Sequence, residues 1–258
     1  MIARILIPVV VFTLLPYLWI YKRYGKLRLK SLWQRVLFWL PAFVVIAYSA
    51  YITIQPNFLP RNPVLIDIWF VMMAVCAVPQ FVFSLFSLFG WCCMRLLHGH
   101  RNWGKLLGLV VGVVAFFCFI YGFTEGFPKM QVKRITIYVP NLPKSFEGYR
   151  IVQFSDIHLG SYYGWRGHLP QRDIDSINAE KPDLICFTGD LQNVTPDELP
   201  EYQALLSSLK ARDGVMSVLG NHDYTYYMDV DDEQEIAALE KRMQDFQRSC
   251  GWRLLMNE

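Results

Sequence analysis

The sequence predicts two unlike parts in one chain: a bundle of four transmembrane helices over residues 1–128 and a layered α/β domain over residues 129–258. Three observations predict this. Hydrophobic residues make up 53% of the chain and charged residues only 18%, against roughly 25% charged in soluble globular domains. The apolar excess lies before about residue 128. Beyond it, short β-branched runs alternate with polar, helix-forming stretches, the texture of a layered α/β fold.

The membrane part rests on four stretches with no charge inside them: between Arg4 and Lys22, Arg35 and Arg61, Asp67 and Arg95, and Lys105 and Glu125. A spanning helix takes about 20 mostly apolar residues, because the hydrocarbon core is about 30 Å thick. The third stretch exceeds that need and carries Pro79 near its middle, which predicts a tilt or kink. Tyr17, Trp19, Tyr21, Trp33, Trp39, Trp69, Trp91 and Trp103 cluster near the ends, as interfacial anchors do. The first stretch is an uncleaved span rather than a signal peptide, since it runs into Tyr17-Leu18-Trp19-Ile20-Tyr21-Lys22-Arg23 with no small-residue cleavage site. Lys and Arg count nine in the first and third loops against five on the other side. That bias predicts those loops in the cytoplasm and the residues after 128 outside it.

The remaining composition narrows the function. A net charge of +3, with no dense basic tract after the membrane segments, gives no support to nucleic-acid binding. Cys76, Cys92, Cys93 and Cys118 fall in apolar runs, Cys186 in a predicted strand, and Cys250 stands alone. They read as small buried hydrophobes, not as a disulfide framework.

In the second part, Ile135–Val139, Arg150–Ser155, Asp183–Thr188, Val215–Leu219 and Trp252–Met256 read as strands. Gln171–Glu180, Leu199–Leu209 and Glu233–Arg248 read as helices, with Glu233, Glu235, Glu240 and Lys241 on a solvated face. Three strand ends run into similar chemistry: Ser155-Asp156-Ile157-His158, Thr188-Gly189-Asp190 and Gly220-Asn221-His222-Asp223. Open α/β sheets place ligands at the carboxyl ends of their strands, so these loops should converge. Carboxylate, imidazole and amide oxygen together suit divalent metals such as Mn, Fe or Zn. One Asp or His at a strand end is more often a turn or cap residue than a ligand. The ordered trio is what carries the reading.

Asp-x-His, Gly-Asp about 30 residues on, and Gly-Asn-His-Asp about 30 further resembles the calcineurin-like metallophosphoesterase superfamily. Asn141-Leu142-Pro143, Phe146-Glu147-Gly148 and Ser155-Asp156-Ile157-His158-Leu159-Gly160 look like its membrane-anchored bacterial branch. The resemblance implies a layered β-sandwich flanked by helices and a site for two divalent metal ions. Asp156 and His158 would hold the first metal, Asp190 would bridge, and Asn221 would bind the second. His222 would contact the phosphate and protonate the leaving group, with Asp223 orienting it. The implied activity is hydrolysis of a phosphoester, with lipid-linked or envelope esters as the suggested class.

The family completes its site with three later histidines, and no histidine follows His222 here. The expectation is therefore a domain incomplete at its C-terminus, lacking the second sheet of the sandwich, in a fragment whose own activity is weak. His98-Gly99-His100 reads as an interfacial loop and His168 as a solvent-facing turn residue. The alternative to an enzyme is a non-catalytic membrane interaction or sensor protein that keeps the fold.

Overall fold

The computed structural model describes residues 2–54, 63–224, 230 and 232–257. It divides into two compact units, Met1–Phe127 and Pro128–Glu258.

In the first unit, α1 (Ile2–Ile20) runs into a π-helical turn over Tyr21–Gly25, and α2 spans Leu32–Ile54. The third apolar stretch forms α3 (Pro63–Met72), a π turn at Met73–Ala77 and α4 (Val78–Leu96). The π turn falls just before Pro79, where the kink was expected. Proline has no N–H for the Val75 carbonyl and its ring crowds that position, so the ladder widens there. The fourth stretch is α5 (Gly104–Tyr121) with a π turn at Gly122–Gly126. Among the described residues, four stretches are long and apolar enough to cross a membrane. Their outer faces expose Ile7, Leu37, Phe43, Phe89, Leu109 and Phe117, while Tyr17, Val45, Ile52 and Ala77 are buried within the bundle.

Helices α4 and α5 pack backbone to backbone. A Cβ on Gly104 would lie 2.1 Å from the Phe86 carbonyl oxygen, and one on Gly108 2.9 Å from that of Phe83. Lipid tails are as apolar as leucine, so helices in a bilayer associate by such close packing rather than by the hydrophobic effect.

The second unit is one parallel sheet in the order β1 (Ile151–Phe154), β2 (Leu184–Phe187), β3 (Val215–Ser217), β4 (Arg253–Leu254). Its register pairs Ile151 with Leu184, Ile185 with Val215 and Met216 with Arg253. The crossovers contain α6 (Leu169–Ala179), α7 (Gln203–Leu206) and α8 (Glu233–Ser249). Each helix buries an apolar stripe: Ile174 and Ile177 from α6, Leu206 from α7, Leu239 and Met243 from α8. Ile174, Leu206 and Met243 join Ile185, Phe187 and Leu191 in one core. Asp232 caps α8 by accepting from the Gln234 amide at 2.9 Å.

Two sequence expectations need correcting. Ile135–Val139 is not a strand: it has no ladder partner among the described residues, and Ile135, Ile137 and Tyr138 are exposed. β-branched composition suits a strand, but a strand exists only where a neighbour supplies N–H and C=O groups. The helix expected over Leu199–Leu209 shrinks to a 3₁₀ turn at Pro200–Tyr202 followed by the short α7.

Candidate metal centre

The loops that leave β1 and β2 continue side by side beyond the strands. The Asp156 amide donates to the Gly189 carbonyl at 3.0 Å, His158 to Asp190 at 3.2 Å, and Leu159 to Leu191 at 2.9 Å. Holding this path puts Asp156, His158 and Asp190 in the left-handed region, at φ 54°, 44° and 65°. Non-glycine residues reach that region at a steric cost and persist there where the surroundings over-determine them. Ile157 and Leu159 turn into the core and anchor the β1 loop.

Two glycines let the β2 and β3 loops touch. Gly189 sits at φ +99°, and a Cβ there would lie 2.3 Å from the Gly220 amide nitrogen. A Cβ on Gly220 would lie 2.2 Å from Asp190 Oδ1. Any side chain at either place would drive the loops apart.

Asp223, 1% exposed, is the hub of the arrangement. Its carboxylate accepts from the amides of Asp190 (2.9 Å), Leu191 (2.8 Å), Gln192 (3.4 Å) and Gly220 (3.0 Å). Burial pushes its carboxyl up, and the four amides offset only part of that rise. The reciprocal contact runs from the His222 amide to Asp190 Oδ1 at 2.8 Å.

These contacts bring together three side chains that could hold a metal ion. Ligand atoms of His158, Asp190 and His222 all lie within 4.8 Å of one another. The two imidazoles meet edge to face, with ring centroids 4.6 Å apart. His158 Nδ1 lies 3.1 Å from the Gln192 carbonyl and His222 Nδ1 2.7 Å from that of Asn193. A carbonyl oxygen only accepts, so each Nδ1 carries a proton and Nε2 is the nitrogen left to face the site. Metal-bound histidines are held in just this way. His158 Nε2 and Asp190 Oδ2 are 4.0 Å apart. That is too long for a hydrogen bond, yet within the span of two ligands each about 2.1 Å from one cation. The donor set therefore fits a divalent metal.

Of the six residues singled out from the sequence, His158, Asp190 and His222 converge, and Asp223 lies directly behind them. Asp156 is exposed and lies outside the group of three, and Asn221 is exposed. The acceptor at the His222 ring is the Asn193 carbonyl, and the Asp223 carboxylate is engaged with amides instead. Three contributors escaped the sequence reading. Gln192 is 1% exposed, receives His158 on its carbonyl, and donates its side-chain amide to the His222 carbonyl at 2.9 Å. Asn193 supplies the carbonyl at His222. Glu198 gathers the amides of Asn193, Val194 and Thr195 at 2.7–3.1 Å. Only Glu198 had a readable signal, the Thr195-x-x-Glu198 capping box. A cavity of about 740 Å³ lies at the other end of the sheet, beside Asp183, Gly214 and Trp252. His168 is exposed at the start of α6, and His98 and His100 are exposed between α4 and α5 of the first unit.

Comparison with known families agrees with both units. The family described as "Probable Calcineurin-like phosphoesterase, transmembrane domain" matches residues 3–127. That described as "Calcineurin-like phosphoesterase" matches residues 149–255, which contain the three converging loops. The chain belongs to the calcineurin-like metallophosphoesterases. It is 27% identical over 173 residues to an uncharacterized metallophosphoesterase of Campylobacter jejuni, covering 64% of this chain and 45% of that protein. A transmembrane protein with metallophosphoesterase domain from Danio rerio is 30% identical over 177 residues, 63% of this chain and 39% of its own length. UDP-2,3-diacylglucosamine pyrophosphatase LpxG of Chlamydia trachomatis is 38% identical over 102 residues, 38% of this chain and 30% of that protein. The chain thus spans less than half the length of each of these relatives. No solved structure matches it. The four apolar helices and the matched transmembrane domain make this an integral membrane protein.

Proposed function

We propose that the protein is a membrane-anchored phosphoesterase working with two divalent metal ions at the carboxyl ends of β1, β2 and β3. The convergence of His158, Asp190 and His222 carries this reading. Asp156 and His158 would hold one ion, Asn221 the other, and Asp190 would serve both. When bound, such ions neutralise phosphoryl charge and activate a water. His222 contacts the phosphate and gives a proton to the leaving oxygen. Its Nδ1 is committed to the Asn193 carbonyl, so Nε2 is the atom that exchanges the proton. Asp223 is a positioning residue. It holds the amides of Asp190, Leu191 and Gln192, and so sets the Gln192 and Asn193 carbonyls against which both imidazoles rest.

The substrate class is a phosphoester or pyrophosphate carried on a lipid. The membrane-spanning first unit and the likeness to a diacylglucosamine pyrophosphatase support it. The loop charges support an extracytoplasmic phosphoesterase domain in a bacterial inner membrane, nine Lys and Arg against five. A reporter active only outside the cytoplasm should then work when fused after Glu258 and fail when fused at Gly25. The reverse pattern overturns the orientation and leaves the four spans standing.

The function itself is tested on the purified chain in detergent. Bound metal is counted after dialysis against Mn or Zn, alongside hydrolysis of bis-p-nitrophenyl phosphate and a lipid-linked pyrophosphate. Retained metal with chelator-sensitive hydrolysis supports the enzyme. Equal metal content in the native chain and Asp190→Asn refutes the site. Retained metal without hydrolysis of any phosphoester, in a chain that also carries the family's three later histidines, favours the sensor reading.

A further inference from the structure

The first unit carries a polar site that phosphoester chemistry does not use. Residues 1–124 contain a single acid, Asp67, while segments 21–35 and 94–105 together hold nine Lys and Arg. Neither segment carries a carboxylate of its own to balance that charge.

Three of those nine side chains, Arg23, Arg101 and Lys105, line one cavity of about 500 Å³. Arg23 and Tyr24 come from the π turn after α1, His100, Arg101 and Asn102 from the loop before α5, and Lys105 from its first turn. The walls are tied together at Ser87 of α4, which is fully buried. Its hydroxyl receives Trp19 Nε1 at 3.2 Å and pairs with the Tyr24 hydroxyl at 2.6 Å, and its carbonyl receives Asn102 Nδ2 at 2.9 Å. The close approach of Gly90 and Gly104 fixes the α4–α5 side of the same cavity. Helix α5 begins there without a side-chain cap, so its first N–H groups add partial positive charge. Trp103 and Leu106 give the cavity an apolar rim.

We propose that this cavity binds the phosphate headgroup of an anionic phospholipid from the surrounding bilayer. Three fixed cations and a helix amino end suit a phosphate, and the volume suits a headgroup with its glycerol, within the roughly 300–1,000 Å³ of ligand sites. The apolar rim favours a lipid over a free anion. Basic pockets between membrane helices and juxtamembrane basic clusters attract anionic lipids in general. Positive loops that only set topology need no cavity and no buried serine tying its walls.

The test uses the full chain in vesicles of equal parts phosphatidylglycerol and phosphatidylcholine, extracted gently, with retained lipid counted by native mass spectrometry. Phosphatidylglycerol should be retained in preference to phosphatidylcholine. The triple variant Arg23→Gln, Arg101→Gln, Lys105→Gln should lower that retention roughly tenfold or more. The triple variant Lys26→Gln, Arg28→Gln, Lys30→Gln removes the same charge from segment 21–35 outside the cavity and should change it less than about twofold. Circular dichroism checks that the helices persist. If the cavity triple does not fold, Lys105→Gln alone decides, with an expected loss of about threefold. Equal loss in both triples, no loss in either, or full displacement by inorganic phosphate overturns the proposal.

Discussion

In the helical unit, away from the cluster at Ser87, side-chain hydrogen bonds join helices one at a time, as from Tyr17 to the Cys76 carbonyl at 3.1 Å and from Ser84 to the Pro16 carbonyl at 3.2 Å. At the carboxyl end of the sheet, one carboxylate gathers four backbone amides, and two imidazoles lean on two carbonyls. The contrast follows from where backbone groups find partners. A membrane helix satisfies its own N–H and C=O groups, so its side chains have little to repair. A loop leaving a strand has unmet amides, and side chains such as Asp223 and Glu198 must meet them. Those loops are therefore both expensive to hold and able to aim ligands.

If that difference is real, substitutions in the two units should fail in different ways. Asp190→Ala should have the largest effect, removing bound metal and turnover together, because its carboxylate is both a converging ligand and the acceptor of the His222 amide. Metal content and hydrolysis measured side by side check this. His222→Ala should instead keep metal and lower turnover by about 10²–10⁴-fold, the usual worth of a positioned general acid. Metal lost as fully as in Asp190→Ala would make His222 a ligand. Asp223→Ala touches no metal, yet it leaves four amides without their acceptor. It should cost about 3 kcal/mol or more and shed metal as the loops loosen, seen as a fall in both Tm and metal content. An unchanged metal content would remove Asp223 from its positioning role.

In the helical unit the heavy penalty should come from shape. Gly104→Leu places a side chain where the Phe86 carbonyl stands and should cost about 1–3 kcal/mol, read as lower thermal stability in detergent. Tyr17→Phe should be the mildest change. It deletes one interhelical hydrogen bond at a cost averaging about 0.6 kcal/mol in membranes. A loss as large as that of Asp223→Ala would show that single polar contacts govern the bundle after all.

Much of this was readable along the chain. Uncharged stretches of spanning length become helices because lipid offers no other partner for the backbone. Strands β1, β2 and β3 fall within a residue or two of their predicted limits, since alternating or continuous β-branched runs bounded by Gly and Pro are local signals. The residues Asp156, His158, Asp190, Asn221, His222 and Asp223 were found from the ends of those strands. Their roles in space were not. Which carbonyl meets His222, and which amides meet Asp223, depends on how three loops distant in sequence fold over one another. Gln192 and Asn193 act partly through their backbone carbonyls, which every residue has, so no sequence signal marks them.

The same division holds elsewhere in the molecule. Sequence alone determined which segments are apolar enough to span, where proline interrupts a ladder, and which strand ends carry carboxylate and imidazole. Each is a property of a few adjacent residues and of water or lipid around them. The tertiary structure decided that Ile135–Val139 stays unpaired, that Gly189 and Gly220 stand back to back, and that Ser87 ties the walls of a basic cavity. Those are contacts between residues far apart in the chain, and only folding brings their atoms within reach of one another.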